Sequence, residues 1–257
     1  MSERVALISG GSGGIGREIA LGLTKENIRV ILLARNEDKL KKAVEELNGQ
    51  SGKADYIVGD VCRIQDILEA IQEIRSKYGK LDILVNCAGG GPVGGIQKIT
   101  DEEWMQNITT KQLGYIRFTR EALPLLINSG KGNIINIIGV FGKQPSKDFV
   151  VGSVTNAALM AFTKAVADDV ARYGIRVNAI NPGATNTELW KETLKYLAVD
   201  SELSPEQINQ NIADLSPLHR IAEAKDIANL ALFLISDKAE FITGISINVD
   251  GGTYSGI

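Results

Sequence analysis

The sequence predicts an α/β fold: a doubly wound, mostly parallel sheet of about seven strands with helices on both faces. Three observations predict it. Short, β-branched apolar runs alternate with helical stretches along all 257 residues. Several runs are continuously apolar, as expected of strands buried on both faces. The first run breaks into five glycines within seven positions and then resumes at helical spacing, a strand, tight turn and helix in immediate succession.

Val5 to Ser9 supplies the first strand, and Ile15, Ile19 and Leu23 mark the inner face of the first helix. Residues 29–34 form the second strand, followed by Asn36 as a helix cap with Glu37 and Asp38 in the first turn. Residues 54–58 form the third, and Ile64, Ile67, Leu68, Ile71 and Ile74 line one face of the next helix. Strand four, 81–85, is apolar except for Asp82 and ends in Asn86-Cys87-Ala88-Gly89-Gly90-Gly91. A long helix over 102–128 leads through Gly130 and Gly132 to strand five at 133–138. A further helix covers 153–173, and strand six, 176–180, closes in Asn181-Pro182-Gly183. Residues 184–220 read as an irregular or partly helical insertion carrying Trp190, Tyr196 and the single histidine, His219, and are expected to form a lid. The last helix spans 226–236 and the last strand 245–249. No repeat of fixed period interrupts this alternation.

With 44% hydrophobic residues and no linker-like stretch, residues 1–257 are expected to bury a single core. Lys and Arg total 28 against 31 Asp and Glu, a net charge of −3. That balance offers no field for nucleic acid or an anionic membrane and favours a small-molecule substrate. No run approaches the roughly 20 apolar residues of a membrane span, and none resembles a signal peptide. Cys62 and Cys87 lack metal-site spacing and suit a reduced, cytoplasmic setting in a soluble protein.

The glycine turn is suited to a phosphate. Glycines let the backbone approach a ligand, and the helix behind offers unpaired N–H groups and its positive dipole end. Gly11, Gly13 and Gly16 satisfy the spacing of a dinucleotide site, against the alternative of a bare connector.

Four segments carry a resemblance to the short-chain dehydrogenase/reductase family, over essentially the whole chain. Ser9-Gly10-Gly11-Ser12-Gly13-Gly14-Ile15-Gly16 resembles the family's Thr-Gly-x-x-x-Gly-Ile-Gly turn. Asp60-Val61 matches the pair expected to meet the adenine. Asn86-Cys87-Ala88-Gly89 is similar to the segment beside the cofactor ribose. Asn181-Pro182-Gly183, with Thr185 and Thr187, resembles the segment that holds the nicotinamide end. Taken singly, Asp60 reads equally as a turn former, Asn86 as a hydrogen-bonder at a strand end, and Thr185 and Thr187 as ordinary loop residues. The resemblance implies a Rossmann-type sheet. It also implies two-fold interfaces built from the helices 102–128 and 153–173 and the tail 241–257, giving a homodimer or homotetramer.

The resemblance implies a Ser, a Tyr, a Lys and a supporting Asn at the reacting centre. The corresponding positions here hold Gly139, Gly152, Asn156 and Lys111. Lys and Asn have thus exchanged places, while the Ser and Tyr positions are bare. A partly buried Lys111 is a candidate acid–base group partnered by Asn156; the alternative is that Lys111 reaches solvent and Asn156 fills space. His219 is a second candidate but reads better as a surface residue. Ser153 and Thr155 read as helix caps. The glycines from Gly89 to Gly95, with Gly139 and Gly152, suggest an enlarged pocket.

These features predict an oxidoreductase binding NADP(H) and acting on a carbonyl or alcohol through an atypical site. The alternatives are a non-redox enzyme, hydrolase or carbon–carbon lyase, and a catalytically silent nucleotide-binding protein. NADP is expected over NAD because Arg35 follows Ala34 at the end of strand two, with Arg17 nearby. A guanidinium there holds a 2′-phosphate, whereas alanine offers no acceptor to a 2′-hydroxyl. No metal site is expected.

Overall fold

The computed structural model describes residues 3–50, 52–199 and 201–256. Asp200, in the stretch read as a lid, and Ile257, at the end of the tail, lie outside the described residues. The chain runs β1 (Val5–Ser9), α1 (Gly14–Lys25), β2 (Arg29–Ala34), α2 (Glu37–Gly49), β3 (Ala54–Val58), α3 (Ile64–Tyr78) and β4 (Ile83–Asn86). Then follow α4 (Asp101–Asn107), α5 (Gly114–Ser129), β5 (Asn133–Ile137), α6 (Val150–Val170) and β6 (Arg176–Pro182). The last part comprises β7 (Thr185–Asn186), α7 (Glu188–Val199), α8 (Pro205–Leu215), β8 (Ala222–Glu223), α9 (Ala224–Ile235) and β9 (Ser246–Val249).

Seven strands pair in parallel in the order β3-β2-β1-β4-β5-β6-β9, while β7 and β8 pair with each other. The order reverses between β1 and β4, and in sheets of this kind ligands bind beyond the strands' carboxyl ends at that reversal. Strand periodicity divides the core. Ala6 and Ile8 of β1 with Val30 and Leu32 of β2 pack under α1, α2 and α9. Val5 and Leu7 with Ile31 and Leu33 pack on the opposite face under α3, α5 and α6.

Local signals end these helices where the sequence places them. The Asn36 side chain accepts from the Lys39 N–H at 2.8 Å and starts α2. Thr100 and Glu103 form a reciprocal capping box at α4, and Ser204 and Gln207 another at α8.

Four expectations need correction. The helix expected over 102–128 is broken by a π-helical segment, Ile108–Leu113. The helix expected from 153 begins at Val150, so Ser153 and Thr155 lie inside it and cap nothing. Ser153 Oγ donates to the Phe149 carbonyl at 2.8 Å, and Thr155 Oγ1 donates to Asn107 Oδ1 at 2.7 Å. Residues 184–220 hold two well-formed helices, tied together by Trp190 Nε1 donating to Asn209 Oδ1 at 2.8 Å. Finally, the helical stretch 150–173 is long and apolar enough to cross a membrane by composition, with mean hydropathy 1.4. Its apolar character has a local use, because Val151, Leu159, Ala167 and Val170 are buried in the core.

Candidate active site

The glycine turn is shaped by contacts that leave no room for side chains. Gly10 adopts φ +71°, and a Cβ there would lie 2.8 Å from the Ala88 α-carbon. A Cβ on Gly16 would lie 2.6 Å from the Gly10 carbonyl oxygen. Gly13, by contrast, faces open space and precedes α1 without any side-chain cap. The first-turn amides of α1, around Gly14, Ile15 and Gly16, are therefore turned toward an open face, with Ser12 beside them. This arrangement fits an anionic phosphate.

Ser9 and Asn86 are tied into the scaffold by their side chains. Ser9 is buried, and its hydroxyl accepts from the Cys87 and Ala88 N–H groups at 3.2 and 3.4 Å. Asn86 is fully buried; its Nδ2 donates to Asn136 Oδ1 at 2.9 Å and to Thr119 Oγ1 at 3.3 Å. Asn136 continues the chain to Thr163 Oγ1 on α6. The Asn86 amide group is thereby enclosed in the sheet. What this segment offers the cleft is Ala88 and the exposed Gly89.

The remaining cofactor candidates ring the crevice. Asp60 accepts from the Cys62 N–H at 2.9 Å in an Asx turn, beside the buried Val61. Arg35 is exposed at the end of β2 and makes no hydrogen bond or ion pair with another described residue. Arg17 is engaged, pairing with Glu46 at 3.1 Å. Pro182 and Gly183 end β6; Thr185 is buried and donates to the Gly183 carbonyl at 2.9 Å. Thr187 accepts from the Trp190 N–H at 3.2 Å, starting α7, and its methyl faces Gly14.

Lys111 and Asn156 meet. Lys111 lies in the π-helical segment and is 9% exposed; its Nζ donates to the Ile138 carbonyl at 2.5 Å and to Asn156 Oδ1 at 2.9 Å. Among the described residues no carboxylate pairs with this ammonium. Burial lowers its pKa to about 8, opposed weakly by the nearby Cys87 sulfur. The Cys87 thiol itself is pushed up to about 12 by burial. Tyr115, one turn further on, is buried and donates to the Ile137 carbonyl at 2.7 Å, which removes it as a proton donor to the cleft.

The enlarged pocket is also corrected. A Cβ on Gly152 would fall 1.9 Å from Cε1 of Phe149, whose ring lies on that glycine. A Cβ on Gly91 would be 3.2 Å from Phe149 Cζ, and one on Gly90 3.0 Å from Leu189 Cδ1. The missing side chains are thus replaced by rings and chains from elsewhere, with Phe141 tilted against Phe149 at a centroid distance of 5.3 Å. Sequence reading missed Phe149 and also Asn107, which is buried with Nδ2 donating to the Gly90 carbonyl at 2.7 Å. His219 is exposed, with φ +52°, and far from qualifying as a buried acid–base group.

Comparison with known proteins follows the same lines. The short chain dehydrogenase family matches residues 4–197. The chain is 32% identical over 259 residues to the NADPH-dependent reductase BacG of Bacillus subtilis (strain 168), covering 100% of both. Its fold superposes on actinorhodin polyketide ketoreductase with NADPH at TM-score 0.95, 32% identity, covering 99% of this chain and 98% of that one. It also superposes on NAD⁺-bound xylitol dehydrogenase at TM-score 0.92 and 27% identity, covering 97% and 98%.

Two outcomes follow from the geometry. Gly152→Ala is expected to destabilise the fold by about 1–3 kcal/mol through overpacking, and by much less in a Phe149→Ala background; a double-mutant cycle in urea measures the difference. Lys111 holds its proton less tightly in the folded than in the unfolded chain, so its burial opposes folding below pH 8. That penalty is relieved as pH rises from about 8 toward the ordinary lysine value of 10.5. The unfolding free energy relative to Lys111→Met should therefore rise over this window, by up to about 3 kcal/mol.

Proposed function

The chain belongs to the short-chain dehydrogenase family, and from that membership we propose that it is an NADP(H)-dependent oxidoreductase acting on a carbonyl or alcohol through an atypical site. The observation that carries this reading is the buried Lys111 ammonium, held by Ile138 and Asn156 at the carboxyl ends of the sheet. Ser12, Gly14, Ile15 and Gly16 would hold the pyrophosphate, Asp60 and Val61 the adenine, Ala88 and Gly89 the ribose, and Pro182, Gly183, Thr185 and Thr187 the nicotinamide end. When bound, the cofactor supplies or accepts hydride at the carbon of the substrate's carbonyl or alcohol.

Lys111 supplies the proton. In reduction, its Nζ–H passes to the carbonyl oxygen as that oxygen gains charge, and the neutral amine recovers a proton from solvent. A pKa of about 8 places the group close to neutral working pH, where general acid catalysis is most effective. The Asn156 Oδ1 and the Ile138 carbonyl fix the ammonium's direction, so proton transfer needs no search by a flexible side chain. Exposed Arg35 selects the 2′-phosphate of NADP. In the same reading α7 and α8 close over the substrate as a lid. The chain acts in the cytoplasm as a dimer or tetramer built on α5, α6 and the tail that begins at the fully exposed Phe241.

A second reading, nucleotide binding without turnover, draws on the Phe149 ring seated over Gly152, where the cleft would otherwise be open. Absorbance of NADPH during incubation with a panel of ketones and aldehydes separates the two. Consumption with stoichiometric alcohol formation is the expected result, and Lys111→Ala should lower kcat by about 10² to 10⁴ while leaving NADPH affinity intact. Binding without consumption of cofactor on any substrate would favour the second reading. Arg35→Ala should weaken NADPH by about ten-fold or more and leave NADH unchanged, as measured by calorimetric titration.

A further inference from the structure

The lysine fixes which way the Asn156 amide faces. An ammonium has donors only, so Oδ1 must face Lys111, and Nδ2 points away from it. Nδ2 points at Gly139: a Cβ built on that glycine would lie 2.8 Å from it. Gly139 has no such atom, and its φ of +138° is one that residues with side chains rarely adopt. Asn156 is 2% exposed, yet its Nδ2 donates to no group among the described residues. Lys111 spends two of its three hydrogens, on Ile138 and Asn156, and retains a third. Two donors thus flank a bare α-carbon: Nδ2 faces the place of the absent Gly139 Cβ, and Nζ is bonded to the carbonyl of Ile138, the residue before it.

Among the described residues no carboxylate pairs with the ammonium. Cys87, after β4, is the titratable group that acts on it, and Tyr115 on α5 acts on Cys87; burial keeps both protonated and neutral. A buried cation with no countercharge is costly to maintain, and Asn156 Nδ2 beside it is a donor that no described protein group uses. One oxygen bearing negative charge would satisfy both at once.

We propose that Lys111 Nζ and Asn156 Nδ2 form a receptor for one negatively charged or strongly polarised oxygen, seated against the bare α-carbon of Gly139. This rests on the reading of Lys111 and Asn156 as the polar pair of the substrate cleft, and it adds the chemical class of what they hold. That oxygen belongs either to a substrate carboxylate or to the reacting carbonyl as it becomes an alkoxide. In both cases the seat is a two-donor oxyanion site, with the amide contributing direction and the ammonium charge.

Acetate serves as the probe, with no cofactor present. In apo protein carrying ¹³C-labelled lysine, the Lys111 ε-carbon shift followed against pH reports its pKa. Acetate should raise that pKa by roughly half a unit or more, since an anion favours the charged lysine. Asn156→Asp is nearly isosteric and places a carboxylate on the ammonium from within the chain. It should raise the pKa without acetate and abolish the response to acetate. Gly139→Ala should also abolish the response by filling the seat, and Asn156→Asp keeps the test decisive if the alanine variant fails to fold. No response to acetate in the unaltered chain, or an equal response in Asn156→Asp, would overturn the proposal. Acetone distinguishes the sources: competition with acetate identifies the seat with the reacting carbonyl, and its absence identifies it with a carboxylate. Because no NADPH is present, failure here leaves hydride transfer untouched, and failure of NADPH consumption leaves this binding intact.

Discussion

Ser9 and Asn86 face each other across β1 and β4, the pair of strands between which the winding of the sheet reverses. The Ser9 hydroxyl receives the amides of Cys87 and Ala88, and Gly10 presses its bare α-carbon against the Ala88 backbone. This seam sets the distance between the glycine-rich turn and the segment at the end of β4. Lys111 in turn packs its stem against Gly89, where a Cβ would lie 3.2 Å from the Lys111 Cβ. Turn, strand end and ammonium are therefore positioned through one chain of close backbone contacts, in which glycine is required by space at each step.

The polar interior carries the same geometry outward. Thr119, Asn86, Asn136 and Thr163 hand one hydrogen bond to the next from α5 through β4 and β5 to α6. Each amide in that run is enclosed, so a sideways slip of either helix would strand a buried donor or acceptor. The helices that bring Lys111 and Asn156 together are thus held in register by groups that never touch the cleft.

The fold was legible because its signals are local and repeated. Continuous apolar runs, Asn36 as a cap, and glycines after α3 and α5 each point to one conformation, and the order of elements then leaves few topologies. The positions of the turn, Asp60 and Arg35 were legible for the same reason: they follow strand ends, whose place is set by the sheet. The interior of the site was less so. The π-helical segment at Ile108–Leu113 depends on a helix being packed at both ends, and nothing in Ile-Thr-Thr-Lys-Gln-Leu announces it. Phe149 and Gly152 are three residues apart, but that the ring folds onto the glycine depends on Gly91, some sixty residues upstream in another loop. Asn107 reads as one polar residue among several on α4 until Gly90 and Thr155 are brought to it by tertiary packing. An empty pocket was expected from glycines alone because a sequence shows which side chains are missing and not which neighbours move in.

The ring of Phe149 resting on Gly152 has a consequence for how this cleft can change over generations. The two positions form a lock with an order of operations: a side chain at 152 meets aromatic carbon well inside van der Waals contact unless 149 has already become small. A small residue at 149, in turn, uncovers Gly91 and Gly152 and leaves the Phe141 ring without its partner. Either first step is penalised, so the pair resists drift in both directions even if no single residue in it does chemistry. Such a pair behaves as a ratchet, and the shape of the chain at these two positions is held by steric fit alone.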